Sequence, residues 1–305
     1  DEPFTNLLTQ GKVVAETFFR ENADGSKNWF NPGEVAVERD SKGKMIAATL
    51  EQDREPVTIG HIEKMSKSKN NGVDPQRLIE RYGADTARLF MMFTAPPEKS
   101  LEWSDAGVEG SSRFLHRLWK VVYEHLQQGE PGVLDPASLT DAEKDLRRQT
   151  HEMIKRITDA VGKRHSFNTA IAGTMELINA LTRDDSGSSQ QLALHREALE
   201  AVVLMLSPIV PHISHVLWQM LGNSTAVVDE AWPVWDETAL VRDSIKLAVQ
   251  VNGKLRDEIE VPADADREQV ESIARSSEKV MRHIEGKTVR KVIVVPGKIV
   301  NVVVG

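Results

Sequence analysis

The chain has 305 residues, 40% hydrophobic and 28% charged, which supports two or three packed domains and excludes a disordered or fibrous polypeptide. There is no cysteine, hence no disulfide, thiolate metal site or cysteine nucleophile, and no apolar run approaches the ~20 residues that span a bilayer. The net charge of -8 argues against wholesale wrapping by nucleic acid, but residues 246–305 hold 11 basic against 9 acidic side chains, so a local contact is permitted there.

The opening Asp1-Glu2-Pro3-Phe4 lacks a leader pattern and reads like the interior of a domain, so a piece of a longer, cytoplasmic protein is expected. Phe4, Leu7, Leu8, Val14 and Phe18 lie at near-helical spacing, which predicts a short amphipathic helix over 4–19, weakened by Gly11. From about residue 20 to 62 the texture turns to β: Val35 and Val37 alternate, Ser41-Lys42-Gly43 makes a turn, Met45 to Leu50 returns, and a short run surrounds Val57 to Ile62.

Next comes Lys64-Met65-Ser66-Lys67-Ser68, continued by Lys69-Asn70-Asn71-Gly72-Val73-Asp74-Pro75. Three lysines in six residues, with small hydroxyls between them and a glycine after, make a mobile cationic loop suited to a polyphosphate. Asp74 is a good N-cap and Pro75 a good first helical residue, so the loop should lead into a positive helix start. Taken by itself such a turn is also an ordinary solvated surface loop. The helix from Pro75 should close at Tyr82-Gly83 with a left-handed glycine, and Asp85 can cap the helix after it, up to Ala95-Pro96-Pro97.

Residues 104–228 read as an antiparallel bundle of four helices. Ser104 or Asp105 starts the first, Thr140-Asp141-Ala142-Glu143 is a capping box for the second, and the third runs from about Asn168 to Leu181. A polar linker over 184–189 leads to the fourth, which Pro208 and Pro211 split. Residues 229–245, with Trp232-Pro233-Val234-Trp235, are expected as a tether to a last unit, 246–305. There Asn252-Gly253 between alternating apolar residues signals a hairpin, a helix follows from about Arg267 to His283, and a second hairpin turns at Pro296-Gly297-Lys298. The class is therefore α+β and multidomain, ending in a ββαββ unit with one sheet face covered.

Met65, the serines, Asn70-Asn71-Gly72 and Asp74-Pro75 around the lysines resemble the K-M-S-K-S signature of class I aminoacyl-tRNA synthetases, matching all five positions. Glu2-Pro3-Phe4-Thr5-Asn6-Leu7-Leu8-Thr9-Gln10-Gly11, Tyr82-Gly83-Ala84-Asp85-Thr86-Ala87-Arg88-Leu89 and Val289-Arg290-Lys291 through Lys298 are similar to the C-terminal portion of the bacterial leucyl-tRNA synthetase family. That resemblance covers essentially the whole chain. It implies a ligase joining leucine to tRNA(Leu) through a leucyl-adenylate, with ATP as substrate and Mg2+ accompanying it. It implies that Lys67 and Lys64 are the catalytic cations, that Met65, Ser66 and Ser68 complete the ATP loop, and that the β segment is a leucine-specific insert. Residues 1–103 would be the end of a catalytic domain, 104–228 an anticodon-binding-type bundle, and 246–305 a C-terminal tRNA-binding domain.

The second class signature, His-Ile-Gly-His, is absent, and Gly60-His61-Ile62 does not replace it. The isolated chain is therefore expected to be inactive without an upstream catalytic half; a non-catalytic tRNA-binding subunit of a split synthetase is the alternative. Other class I members, such as the valyl, isoleucyl or methionyl enzymes, share the loop and bundle but not the insert and last unit.

Arg147, Arg148, Lys155 and Arg156 give one bundle helix a basic bias, either a solvated face or an RNA backbone contact. Lys287, Arg290, Lys291 and Lys298 form a patch expected to be compact and to touch tRNA phosphates. His212 and His215, one helical turn apart, are read as packing at a bundle joint, and no metal site is assigned. Ser66 to Lys69 fits S-x-x-K but lacks the companion motifs of penicillin-binding enzymes. Trp103, Trp119 and Trp218 are expected in the core rather than as base-stacking platforms.

Overall fold

The computed structural model describes residues 3, 5–184, 188–242 and 244–305. The chain divides into two compact units, Asp1–Ala239 and Leu240–Gly305.

The first unit starts with strands where a helix was expected: β1 (Val13–Ala15) and β2 (Phe18–Glu21). Paired β-branched and aromatic residues, Val13-Val14 and Phe18-Phe19, favour extended chain, and Phe18 is fully buried. Gly11 also needs to be glycine, since a Cβ there would lie 2.2 Å from the Lys99 carbonyl oxygen. Phe4, the first residue of the predicted helix, lies outside the described residues, as do Glu2 of the opening segment and 185–187 of the predicted linker.

The insert is built from β2, β3 (Lys27–Phe30), β4 (Val35–Arg39), β5 (Met45–Leu50) and β6 (Thr58–Ile59). The strand order β3-β2-β6 forms one sheet and β4-β5 a hairpin turned at Gly43, where φ is 79°. Phe18, Val35, Ala48, Leu50 and Val57 make its small core. Then β7 (Glu63–Lys64) pairs antiparallel with β1, whose other side takes β8 (Leu101–Glu102) in parallel.

Helix α1 (Pro75–Tyr82) begins as expected, with the Asp74 carboxylate accepting from Gln76 N at 2.9 Å. It ends at Gly83, whose φ of 84° and ψ of 155° fall outside the left-handed helical region, in a glycine-only region of extended ψ. Helix α2 (Ala84–Thr94) follows with no side-chain cap: Asp85 lies inside its first turn and its carboxylate goes elsewhere. Leu89 of α2 joins the core of the helical bundle, so 103/104 is a boundary in sequence texture but not in packing.

The bundle comprises α3 (Asp105–Leu126), α4 (Asp141–Gly162), α5 (Phe167–Arg183), α6 (Gln191–Leu206) and α7 (Pro211–Met220). Ser104 caps α3, and both halves of the Thr140–Glu143 capping box are formed on α4. The split between α6 and α7 falls at Pro208 to Pro211, where Pro211 supplies the first residue of the new helix. Leu118, Ile171, Leu177, Leu194, Leu199 and Leu206, all essentially buried, mark the core. The first part of the expected tether is a strap on this bundle: Trp232 Nε1 donates to Thr158 Oγ1 at 2.7 Å, and both Trp232 and Trp235 pack against a cluster containing Ile154 and Ile157.

The second unit contains β9 (Ser244–Val251), β10 (Lys254–Pro262), α8 (Arg267–Ser276), α9 (Glu278–Ile284), β11 (Val289–Val295) and β12 (Ile299–Val304). The sheet order is β10-β9-β12-β11, with the central pair parallel. Asn252 and Gly253 both take positive φ, 49° and 77°, as a two-residue hairpin turn requires. Asn252 also exchanges side-chain bonds with Val304, donating to its carbonyl and accepting from its N–H. The single helix expected over 267–283 is two helices. Ser277 takes an extended conformation, accepts from Val280 N to cap α9, and donates to the Asp257 carboxylate, which a continuous helix would prevent.

Candidate functional site

The lysine loop stands on the β1-β7 ladder, where Lys64 faces Val14 and Met65 N donates to Val13 O at 3.0 Å. Lys67 to Lys69 form one 3-10 turn, closed by Asn70 N to Lys67 O, and Asn70 takes left-handed φ, which asparagine tolerates. Asn71 is completely buried: its Oδ1 accepts from Ser66 N at 2.9 Å, and its Nδ2 donates to Glu63 O at 3.3 Å and Ala15 O at 3.4 Å. The insert holds the downstream half from another side. Asn31 Nδ2 donates to Gly72 O at 3.0 Å and Asn70 Nδ2 to Trp29 O at 3.4 Å, while the Lys69 ammonium pairs with Glu63 and sits 5.0 Å from the Trp29 ring centroid.

The three lysines therefore differ in ways their spacing does not show. Lys69 is committed to a carboxylate and an aromatic face. Lys64 and Lys67 are exposed and, among the described residues, have no ion-pair partner. Ser66 and Ser68 lie 3.3 Å apart through their hydroxyl oxygens, and Met65 is half-buried. Two such cations, one at the end of β7 and one on the fastened turn, are suited to neutralising anionic oxygens. Sequence reasoning missed Asn71, Asn31, Trp29 and Glu63. Of these only Asn71 carried a local signal, an amide after a lysine run, and one of its three partners, Ala15, is distant in sequence.

The proposed RNA contacts on α4 are placed unevenly. Arg147 is buried and donates to Glu197 (3.1 Å) and Asp236 (3.0 Å). Although burial works to lower it, the bonds to these carboxylates raise the Arg147 pKa further. Burial works to raise the Glu197 pKa, but bonds from His151 and Arg147 bring it below the ordinary carboxylate value. Thr238 and Arg147 together hold Asp236 at about 2. Arg148 is bound to Asp145 and Glu152 with its side chain 17% exposed. Lys155 and Arg156 face solvent in exposed pairs with Glu237 and Glu176, which yield easily to a competing phosphate.

In the second unit Arg290 is the extra residue of a β-bulge, Val289 facing Val304 and Lys291 facing Val303, and its guanidinium packs over Gly305. Lys287, Arg290 and Lys291 gather at the start of β11. Lys298 does not join them. It lies in the turn at the far end of β11, ~20 Å along a strand of this length, so the four do not make one compact patch.

His212 and His215 hold different partners: His212 Nδ1 pairs with Asp85 at 2.8 Å, and His215 Nδ1 accepts from Val227 N. Among the described residues no group of three metal-ligating side chains comes together. Trp218 is in the core and Trp103 packs edge-on against Phe90, whereas Trp119, expected inside, is 41% exposed beside exposed Tyr123 on α3. No described helix is long and apolar enough to cross a membrane.

The chain is similar to known proteins over almost all of its length. Residues 57–104 match the family described as tRNA synthetases class I (I, L, M and V), and residues 143–272 match the anticodon-binding domain of tRNA ligase. The leucine–tRNA ligase of Chromohalobacter salexigens is 62% identical over 303 residues, covering 99% of this chain and 35% of that protein. That of Pseudomonas paraeruginosa is 59% identical over the same shares. The chain thus spans about a third of the length of the curated relatives it matches. A solved structure of the Agrobacterium radiobacter K84 agnB2 LeuRS, in a ternary complex with tRNA and LeuAMS, superposes with a TM-score of 0.66 at 28% identity, over 80% of this chain and 31% of that one.

Proposed function

Since the chain belongs to the leucine–tRNA ligase family, we propose that it supplies the polyphosphate loop and tRNA-holding surfaces of an ATP-dependent ligase that charges tRNA(Leu) with leucine. In the first half-reaction a leucine carboxylate oxygen attacks the α-phosphorus of ATP, the bond to the bridging oxygen breaks, and pyrophosphate leaves with the accumulating charge. Lys67 and Lys64 neutralise that charge, with Ser66 and Ser68 as hydroxyl partners and Met65, whose N–H bonds to Val13 O, completing the loop. ATP arrives with its Mg2+ as substrate; none of this chain's residues is assigned to the ion. The single observation that carries the reading is that Lys64, at the end of β7, and Lys67, on the fastened turn, are exposed and have no ion-pair partner among the described residues.

Transfer of leucine then requires the tRNA to be held. Lys155 and Arg156 on α4, and Lys287, Arg290 and Lys291 at the start of β11, are the proposed phosphate contacts, with Lys298 a separate one. Arg147 and Arg148 serve the protein's own ion pairs first.

The chain contains no His-Ile-Gly-His string, so by itself it is expected to show no leucine-dependent ATP–pyrophosphate exchange. In the complete ligase, Lys67→Ala should lower exchange by about 100-fold, the scale of removing one charge interaction made in the transition state. Robust exchange by this chain alone, or wild-type exchange in Lys67→Ala, would refute the assignment.

A further inference from the structure

Among the described residues the Lys67 ammonium has no hydrogen-bond or ion-pair partner, so its place over a bound polyphosphate is inherited from the backbone of its turn. Fixed cations accelerate a reaction only when they stand where charge develops, and a misplacement of ~1 Å can cost about 100-fold. What fixes that backbone is therefore part of how the loop works.

The excursion leaves the β1-β7 ladder at Met65 and returns at Asn71. One side chain closes it. Asn71 accepts from Ser66 N, across the base of the turn, and donates to the carbonyls of Glu63 and Ala15, which face each other in the ladder. With every polar atom of its amide engaged and no exposure, it joins the two ends of the excursion to both strands beneath. Within the turn itself, hydrogen bonding amounts to two backbone bonds, 3.3 Å from Lys69 N and 3.2 Å from Asn70 N, and the Ser66–Ser68 hydroxyl contact at 3.3 Å, all internal to the excursion; the 2.9 Å bond from Ser66 N to Asn71 is what ties it to the strands beneath. Lys69 adds an outer fastening through Glu63 and the Trp29 ring.

We propose that Asn71 is a positioning residue for adenylate formation: it sets the height and tilt of the Ser66–Lys69 turn, with Lys69 as its outer fastening, so that Lys67 meets the departing pyrophosphate. This rests on the reading of the loop as a polyphosphate site. Asparagine fits because the position needs an acceptor for Ser66 N and donors for two carbonyls. Aspartate would set a carboxylate against both carbonyls, and alanine would leave Ser66 N without its acceptor and strip the second donor from two carbonyls of the β1-β7 ladder.

The test uses the complete ligase and measures leucine-dependent ATP–pyrophosphate exchange in Asn71→Ala, Lys69→Met and Lys67→Ala, with circular dichroism and tRNA binding as checks of folding. In folded Asn71→Ala, kcat should fall 10- to 100-fold while KM for ATP changes less than about threefold, because flexible lysines still reach ground-state phosphates but are misaligned in the transition state. Lys69→Met, which removes the half-buried outer fastening only, should lose severalfold in kcat with the same split. If Lys67→Ala is defective but folded Asn71→Ala turns over like wild type, the positioning role is wrong. Should Asn71→Ala fail to fold, wild-type kcat in Lys69→Met overturns the proposal in its place. A silent Lys67→Ala refutes the polyphosphate reading itself.

Discussion

The carboxylate of Asp85 caps a helix other than its own: Oδ2 accepts from Ile213 N at 2.7 Å, in the first turn of α7. Helix α7 has no side-chain cap from its own flank, since Val210 precedes Pro211, and Asp85 Oδ1 also engages His212 Nδ1. One turn along α2, Arg88 donates to the carbonyls of Ile209 and Pro208 at the end of α6. The pair thus rivets α2 to the joint between α6 and α7, satisfying donors on one side and acceptors on the other.

Asp85→Ala should lower the stability of the first unit by about 1–2 kcal/mol, the scale of removing an N-cap. Asp85→Asn keeps an acceptor for Ile213 N and should cost less. Urea unfolding followed by circular dichroism reads the difference; equal stability of Asp85→Ala and wild type would show that the cap contributes nothing.

Arg147→Met should destabilise the bundle by about 2–3 kcal/mol, below the usual loss for a fully buried pair because Glu197 keeps His151 and part of its solvent. Asp236, held at about 2, stabilises the fold above its ordinary pKa of 3.8 and loses that contribution as pH falls from about 4 to 2. Acid unfolding of Arg147→Met should therefore be shallower in that window than that of the parent. An unchanged acid limb would separate Asp236 from this network.

His125 is buried on α3 with Nε2 accepting from Arg196 Nε at 3.2 Å, so its proton sits on Nδ1. Burial, then the Arg196 and His195 charges, pull its pKa from 6.5 to about 4. Here the unfolded chain binds the proton first: stability is complete above pH 6.5 and falls by up to about 1.4 kcal/mol per pH unit as pH drops from 6.5 toward 4. Titration by NMR should show the ring neutral at pH 5. A midpoint near 6.5 would mean that the ring is neither buried as described nor held against the guanidinium.

Binding of tRNA(Leu) to the complete ligase should weaken with salt, and Arg290→Ala/Lys291→Ala should reduce the logarithmic salt slope by about 1 for each phosphate no longer neutralised. Lys298→Ala should act independently of that pair, since the length of β11 separates them. Full affinity and an unchanged slope in the double variant would remove this end of the sheet from the interface.

Local chemistry was legible in the sequence. The Asp74-Pro75 start, the Thr140 capping box, the proline split at 208–211 and the Asn252-Gly253 turn each depend on a few adjacent residues and stand where they were expected. The lysine string with its Asn-Asn-Gly continuation carried the family, because that chemistry is linear. Short apolar spacing failed over 4–19, where Val13, Val14, Phe18 and Phe19 find strand partners from far along the chain. Ser277 likewise broke a helix for the sake of Asp257.

Tertiary structure alone decided which charges are free. Arg147, Arg148, Lys155 and Arg156 of α4 look alike in the sequence, yet Arg147 is buried between carboxylates 50 and 89 positions away while Lys155 faces solvent. Three lysines of one loop look alike too, until Glu63 and Trp29 claim Lys69 and leave Lys64 and Lys67 available. Periodicity reports which face of an element turns inward; it does not report which distant carboxylate, carbonyl or ring will be waiting there. That depends on chain segments brought together only by folding, and so the residue that secures the lysine turn, Asn71, emerges from its three bonds rather than from its place in the string.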